Sequence, residues 1–240
     1  MGIKERQERD REAVSRAILD AARDLFVAEG YQNVSIRKIA DRIEYSPAAI
    51  YSYFPSKDDI FLALAEEGFR LLSCMDDCVL GRLSTMPPLD RIRSIFRGLY
   101  RFSCEHPQYF ALMFVDRSVP KVTQHYERFA FVRQMKQHLI DQVQECIEAG
   151  ELPRSVAPSI AFRVLSTSVL GVAMVRLSER LGPDENADDL AFDALEVAIA
   201  GLKSGVALRT AASPCLMDDQ TDIAHSAPAA LTGAVAPTDD

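Results

Sequence analysis

Between Ser35 and Lys57 the chain gathers hydroxyl, aromatic and cationic side chains into the stretch "SIRKIADRIEYSPAAIYSYFPSK". These groups suit hydrogen bonding to phosphate oxygens and base edges rather than bond-breaking chemistry. Tyr51, Ser52, Tyr53 and Lys57 can donate to phosphates, and so can Ser35 together with the free N–H groups of a helix that starts there. Ala48 and Ala49 are small enough to let a helix approach a base edge or a thymine methyl, and Pro47 removes one donor. The Arg37 guanidinium can bond O6 and N7 of one guanine; its other reading is a surface Arg, solvated or paired with Asp41 four residues on. Lys38, Tyr45 and Ser46 complete the set of candidate DNA contacts. Tyr51 and Tyr53, two apart, face different sides of a helix, and either can instead be a core aromatic with its hydroxyl at the edge.

Such groups act only if short, rigid elements present them. Val14, Ile18, Ala21, Ala22, Leu25 and Phe26 recur at spacings of three and four, which predicts an amphipathic helix ending at Gly30. Ser35 is a hydroxyl N-cap for a short helix carrying Ile36, Ile39, Ala40 and Ile43, and Ser46–Pro47 is an N-cap with proline in the first turn of the next. Two helices of two to three turns around a tight turn outline a helix-turn-helix. Leu25, Phe26, Ile39, Ile43, Ile50 and Phe54 are its expected core.

Pro55 ends that unit and Ser56 caps a long helix reaching Met86–Pro87–Pro88. Amphipathic segments follow at 89–105, 107–117, 121–149, 158–181 and 187–208, and no alternating strand is visible, so the expected class is all-α. The expected division is an arm of mixed charge at 1–12, a DNA-binding head at 13–55, a helical body at 56–208 and a disordered acidic tail at 209–240.

The 240 residues carry a formal charge of −8, with 48% hydrophobic and 26% charged residues. This is globular composition, and the acidic balance is unlike that of a protein that coats nucleic acid indiscriminately. Residues 1–56 are net neutral, and five of the negative charges fall in 210–240. A neutral head on an acidic body turns the head toward a polyanion. Five cysteines without a CxxC pair or a secretory signal suggest reduced thiols and a cytoplasmic protein. The longest apolar run, Val169–Val175, is far short of the roughly 20 residues that span a bilayer, so no membrane partner is expected. HExxH, P-loop, GxGxxG and Glu-x-x-His patterns are all missing, which argues against an enzyme. No cofactor or metal is expected. Cys74 and Cys78, one turn apart, read as plain thiols or, less readily, as a redox or metal sensor.

"ILDAARDLFVAEGYQNVSIRKIADRI" (18–43) followed by "YSPAAIYSYFPSKDDIF" (45–61) resembles the N-terminal domain of the TetR family of bacterial transcriptional regulators. The resemblance covers about a quarter of the chain. It implies a homodimeric repressor, paired through its last two helices and released from a double-stranded DNA operator by a small-molecule effector. The Ala, Gly, Ser, Thr and Val content of "IAFRVLSTSVLGVAMVRL" and "LAFDALEVAIAGLKSGV" suits close helix approach in such a dimer. The implied effector pocket lies within the body, where Phe69, Phe96, Tyr100, Phe110, Phe114, Tyr126 and Phe129 are candidates to line it or simply to pack the core. With no charge cluster in this half, the expected effector is small and largely apolar or aromatic. Two departures stand out: Glu44 replaces a common turn glycine, and Ala48 replaces a common glycine in the recognition helix.

Overall fold

The computed structural model describes residues 2–83, 85–121, 125, 127–205 and 208, with the side chains at 3 and 75–83 excepted. Among these residues the chain is helical and no strand occurs. The order is α1 (Ile3–Glu29), a 3₁₀ turn (Tyr31–Asn33), α2 (Ile36–Arg42), α3 (Pro47–Tyr51), α4 (Lys57–Leu83), α5 (Pro88–Glu105) and α6 (Pro107–Phe110). A π turn (Ala111–Val115), α7 (Ala130–Glu148), α8 (Pro158–Leu177) and α9 (Ala187–Lys203) complete it.

The expected first helix is extended at its start. Residues 3–12, read as an arm, form the opening turns of α1, where the Gly2 N–H donates to Glu5 at 2.9 Å and satisfies one end group. Charged side chains with no apolar face still continue a helix that is nucleated further along. Gly30, at φ 81°, ends α1 in a conformation that favours glycine. The segment expected to be one helix over 107–117 is instead α6 running into the π turn, and the helix expected over 121–149 is described from Ala130. Tyr126, Cys78 and the acidic tail from 209 lie outside the described residues or side chains.

Ile18, Ala22, Phe26, Ile39 and Ile50 are buried and join α1, α2 and α3 in the head, with Leu25, Ile43 and Phe54 half-buried at its margin. The same core continues through Ile60, Phe61 and Leu64 of α4, so the head is seated on the helix that leads into the body. In the body α5, α7, α8 and α9 pack around Phe96, Val143, Leu165, Val169, Leu195 and Ile199. The α8 helix is long and apolar enough by composition to cross a membrane, with a mean hydropathy of 1.6. Here it packs against α5, α7 and α9.

Candidate nucleic-acid interface and effector cavity

Two capped helix starts set the geometry of the head. The Ser35 hydroxyl accepts the Lys38 N–H at 3.2 Å, and the Ser46 hydroxyl accepts the Ala49 N–H at 3.2 Å. Both serines thus fix their helices. Between the helices Glu44 adopts φ 59°, the left-handed conformation that a glycine takes without strain. The glycine position of the turn is therefore kept in shape, with a carboxylate on it.

Ile50 points inward and is fully buried, which turns its neighbours out. Ser46, Pro47, Ala48, Tyr51 and Ser52 are exposed and Ala49 half-exposed. Tyr51 is 55% exposed and Tyr45 43%, high values for large aromatic side chains. Arg37 is exposed and forms no ion pair or hydrogen bond among the described residues; the alternative pairing with Asp41 is not made. Lys38 is exposed but pairs with Glu29 and also reaches the Asn33 carbonyl at 3.3 Å. Ser52 donates to the Ala49 carbonyl at 2.6 Å. Tyr53 is half-buried beneath Arg11, whose guanidinium carbon lies 5.6 Å from its ring centre. Lys57 turns inward, donating to the carbonyls of Tyr31 at 2.8 Å and Val34 at 3.0 Å. The outward set is thus Arg37, Tyr45, Ala48, Ala49 and Tyr51, while Lys38, Tyr53 and Lys57 hold contacts within the head.

A cavity of about 200 Å³ lies inside the body. Phe69 and Leu72 of α4, Phe96 and Leu99 of α5 and Phe114 of the π turn form part of its wall. Val132, Met135 and Leu139 of α7 and Phe162 and Leu170 of α8 close it. Phe69, Phe96 and Phe114, expected from the sequence, are therefore brought together. Phe110 and Phe129 stand behind the wall, their rings packed on Phe114 at 5.0 Å and on Phe69 at 6.2 Å between centres. Tyr100 faces elsewhere: its hydroxyl donates to Asp188 of α9 at 2.8 Å, and burial and that carboxylate both raise its pKa. Lys136, Arg163 and Ser166 also line the cavity and escaped sequence reasoning, because their places on α7 and α8 are exposed or polar positions.

Head and body meet at α6 and the π turn. Arg16 of α1 bonds Asp20 at 2.8 Å, Glu67 of α4, and the Tyr109 hydroxyl of α6 at 3.4 Å. The bonds to Asp20 and then to Glu67 hold the Arg16 pKa well above its ordinary value. Arg23 lies 5.5 Å from the centre of the same Tyr109 ring. Just beyond the π turn, the Asp116 carboxylate accepts the Tyr31 N–H at 3.5 Å, and Gln32 donates to the Ser118 carbonyl at 3.0 Å. The α4 backbone comes so close at Gly68 that a Cβ there would lie 2.4 Å from Met113 Sδ and 3.2 Å from a Tyr109 ring carbon.

The last two helices also carry exposed apolar side chains. Met174 and Val175 of α8 and Leu190 and Val197 of α9 are exposed, Val197 by 72%. A Cβ at Gly171 or Gly201 on the same two helices would meet nothing within 4 Å.

Comparisons with known proteins bear on the family and the fold. The model for bacterial regulatory proteins of the tetR family matches residues 18–64, and that for the tetracyclin repressor-like C-terminal domain matches 92–198. The chain belongs to the TetR family. The HTH-type transcriptional repressor Rv1474c of Mycobacterium tuberculosis is 42% identical over 52 residues, 22% of this chain and 28% of that protein. The chain thus spans little more than a quarter of the length of that curated relative. The nucleoid occlusion factor SlmA of Sodalis glossinidius is 30% identical over 172 residues, 66% of this chain and 81% of that protein. The transcriptional regulator FadR from Bacillus subtilis, solved in complex with stearoyl-CoA, has the same fold at a TM-score of 0.63 and 15% identity, covering 78% of this chain and 98% of that one. In this TetR-family chain the matched N-terminal segment contains the outward set of α2 and α3, and the C-terminal match includes all of the cavity wall beyond α4.

Proposed function

We propose that this TetR-family protein is a homodimeric, sequence-specific DNA-binding repressor whose operator affinity falls when a small effector fills the body cavity. The observation that carries the DNA-binding reading is the outward presentation of Ala48, Ala49 and Tyr51 by a helix anchored through Ile50. A small-faced, rigidly held helix can enter a major groove, with Tyr51, Tyr45 and the helix starts at Ser35 and Ser46 on phosphates and Arg37 on a guanine. Ser52, Tyr53, Lys38 and Lys57 brace this surface from within the head.

Two heads are needed for a palindromic operator, with half-sites one helical turn, about 34 Å, apart. The exposed apolar strip of Met174, Val175, Leu190 and Val197 on the last two helices supports pairing there. Burying that strip against its copy removes apolar surface from water, and the open glycines permit close helix approach.

Phe114 forms part of the cavity wall and belongs to the π turn, whose far end at Asp116 holds the head through Tyr31. An effector that prefers a displaced Phe114 therefore moves Asp116 and Tyr109 relative to α1. Its differential affinity for the two head spacings sets the fall in DNA affinity. The complex of the Bacillus subtilis FadR protein with stearoyl-CoA supports a ligand-binding body in this fold.

A second reading, DNA binding with no effector, draws on the small size of the cavity and on the long alignment with a nucleoid occlusion factor. Gel retardation of DNA from upstream of the protein's own gene tests the first part: a shifted band at low salt is expected, and none at any concentration would end the reading. Apolar ligands that neither raise the melting temperature nor release the DNA would favour the second.

A further inference from the structure

We infer that the body cavity selects amphipathic anions, a compact apolar body bearing one carboxylate or similar group, through Lys136 of α7 and Arg163 of α8. This rests on the effector reading above and adds the chemical class of the ligand. Both residues line the cavity and both are exposed, so they stand where it opens to solvent. The remainder of the wall is apolar apart from Ser166, whose hydroxyl is already used in donating to the Arg163 carbonyl at 3.0 Å. No acidic residue contributes to the lining among the described residues.

Both cations are also without a carboxylate partner among the described residues. Elsewhere in the body Arg91 pairs with Glu145, Arg93 with Glu196 at 2.8 Å and Arg128 with Glu66 at 3.1 Å. Lys136 makes no ion pair among the described residues, and the Arg163 guanidinium has only the Phe162 ring, 5.9 Å away. In a chain with an excess of acids, two cations left without carboxylates at the mouth of an apolar cavity form a site for an external anion. An anion there keeps its charge at the wet rim while its apolar end fills the interior, so neither part is buried unsatisfied. An apolar cavity of about 150 Å³ holds a benzene ring; about 200 Å³ thus fits one substituted ring or a short chain.

The test measures binding of octanoate and octan-1-ol to the full chain by calorimetry, and release of bound operator DNA by the same two probes. Octanoate is expected to bind about tenfold more tightly than octanol, equal to about 1.4 kcal/mol. The double variant Lys136→Gln, Arg163→Gln is expected to erase that preference while octanol affinity changes less than about twofold. Its melting temperature and sedimentation report folding and assembly separately. Equal binding of both probes, or an undiminished preference in the double variant, overturns the anion assignment but leaves the effector reading intact. Dissociation of a dimer by the double variant also overturns it, showing that the cations serve a partner subunit. Failure of both probes to bind overturns this inference, whereas binding without DNA release leaves it standing and rejects the effector reading.

Discussion

The Lys57 ammonium donates to the Tyr31 carbonyl at 2.8 Å and lies 4.1 Å from the centre of the same residue's ring. The start of α4 is thereby clamped to the turn that follows α1, and Tyr31 completes the clamp from its own side by donating its hydroxyl to Asp58. Lys57→Met removes a donor from both carbonyls, leaving that of Tyr31 with only the Val34 N–H at 3.3 Å. We expect a loss of about 2 kcal/mol in urea unfolding. If the third ammonium hydrogen also serves a phosphate, the variant's DNA affinity will fall with salt along a slope shallower by about one counterion.

Glu44 is a non-glycine residue in a left-handed turn beside the proposed DNA surface. Glu44→Gly relieves backbone strain and removes a negative charge from beside the proposed DNA surface. The expected gain is about 1 kcal/mol of stability, with tighter DNA binding at low salt. A variant no more stable than the parent by denaturation would show that the turn is not strained.

Tyr51 and Arg37 separate positioning from readout. Tyr51→Phe should weaken binding to all DNA sequences by a similar factor, since a phosphate contact carries no base preference. Arg37→Ala should cost about 1–3 kcal/mol at its preferred base pair and little elsewhere. Binding measured across a set of single-base operator variants distinguishes the two patterns.

Val197 has the greatest exposure among the large apolar side chains of α8 and α9. Val197→Glu would place an unpaired carboxylate at the centre of the proposed subunit contact, weakening assembly by about 3 kcal/mol or more. Sedimentation should show monomers with unchanged helical content, and operator retardation should be lost with the dimer. Persistence of a tight dimer would move the interface elsewhere.

Cys146 is fully buried, and burial, followed by the charge of Glu151, pushes its thiol up to about 12. The unfolded thiol ionises near about 8.5, so the folded state holds its proton more tightly. Its contribution is fully present below that pH and declines as pH rises toward 12. In unfolding measured from pH 8.5 upward, this group should cost as much as about 1.4 kcal/mol per pH unit, a slope missing from Cys146→Ala. Alkylation of the native protein at pH 8 should reach the exposed Cys74 and Cys104 and spare Cys146.

Local signals made the head legible. Ser35 and Ser46 announce their helices because an N-cap acts within three residues, and Ile39 and Ile50 announce the core because burial follows the helical period. The wall residues Phe69, Phe96 and Phe114 were readable as inward aromatics. Periodicity gives a face and not the neighbour across it. Thus Tyr100, equally inward, turns to Asp188 far along the chain, and Lys57, apparently free, is held by Tyr31 and Val34. Lys136 and Arg163 were invisible as a pair because only the packing of α7 against α8 brings them to one opening. The π turn was equally hidden, since a one-residue change in helical pitch leaves no mark on composition.

The naked backbone at Gly68 lets α6 and the π turn settle directly onto α4. The space a side chain would take is filled instead by Met113 of the π turn and Tyr109 of α6, reaching across from the other side of the seam. A methyl grafted at that spot would press first on the Met113 thioether, which can swing aside, and then on the Tyr109 ring, prising α6 from α4 only as far as those two side chains fail to give way.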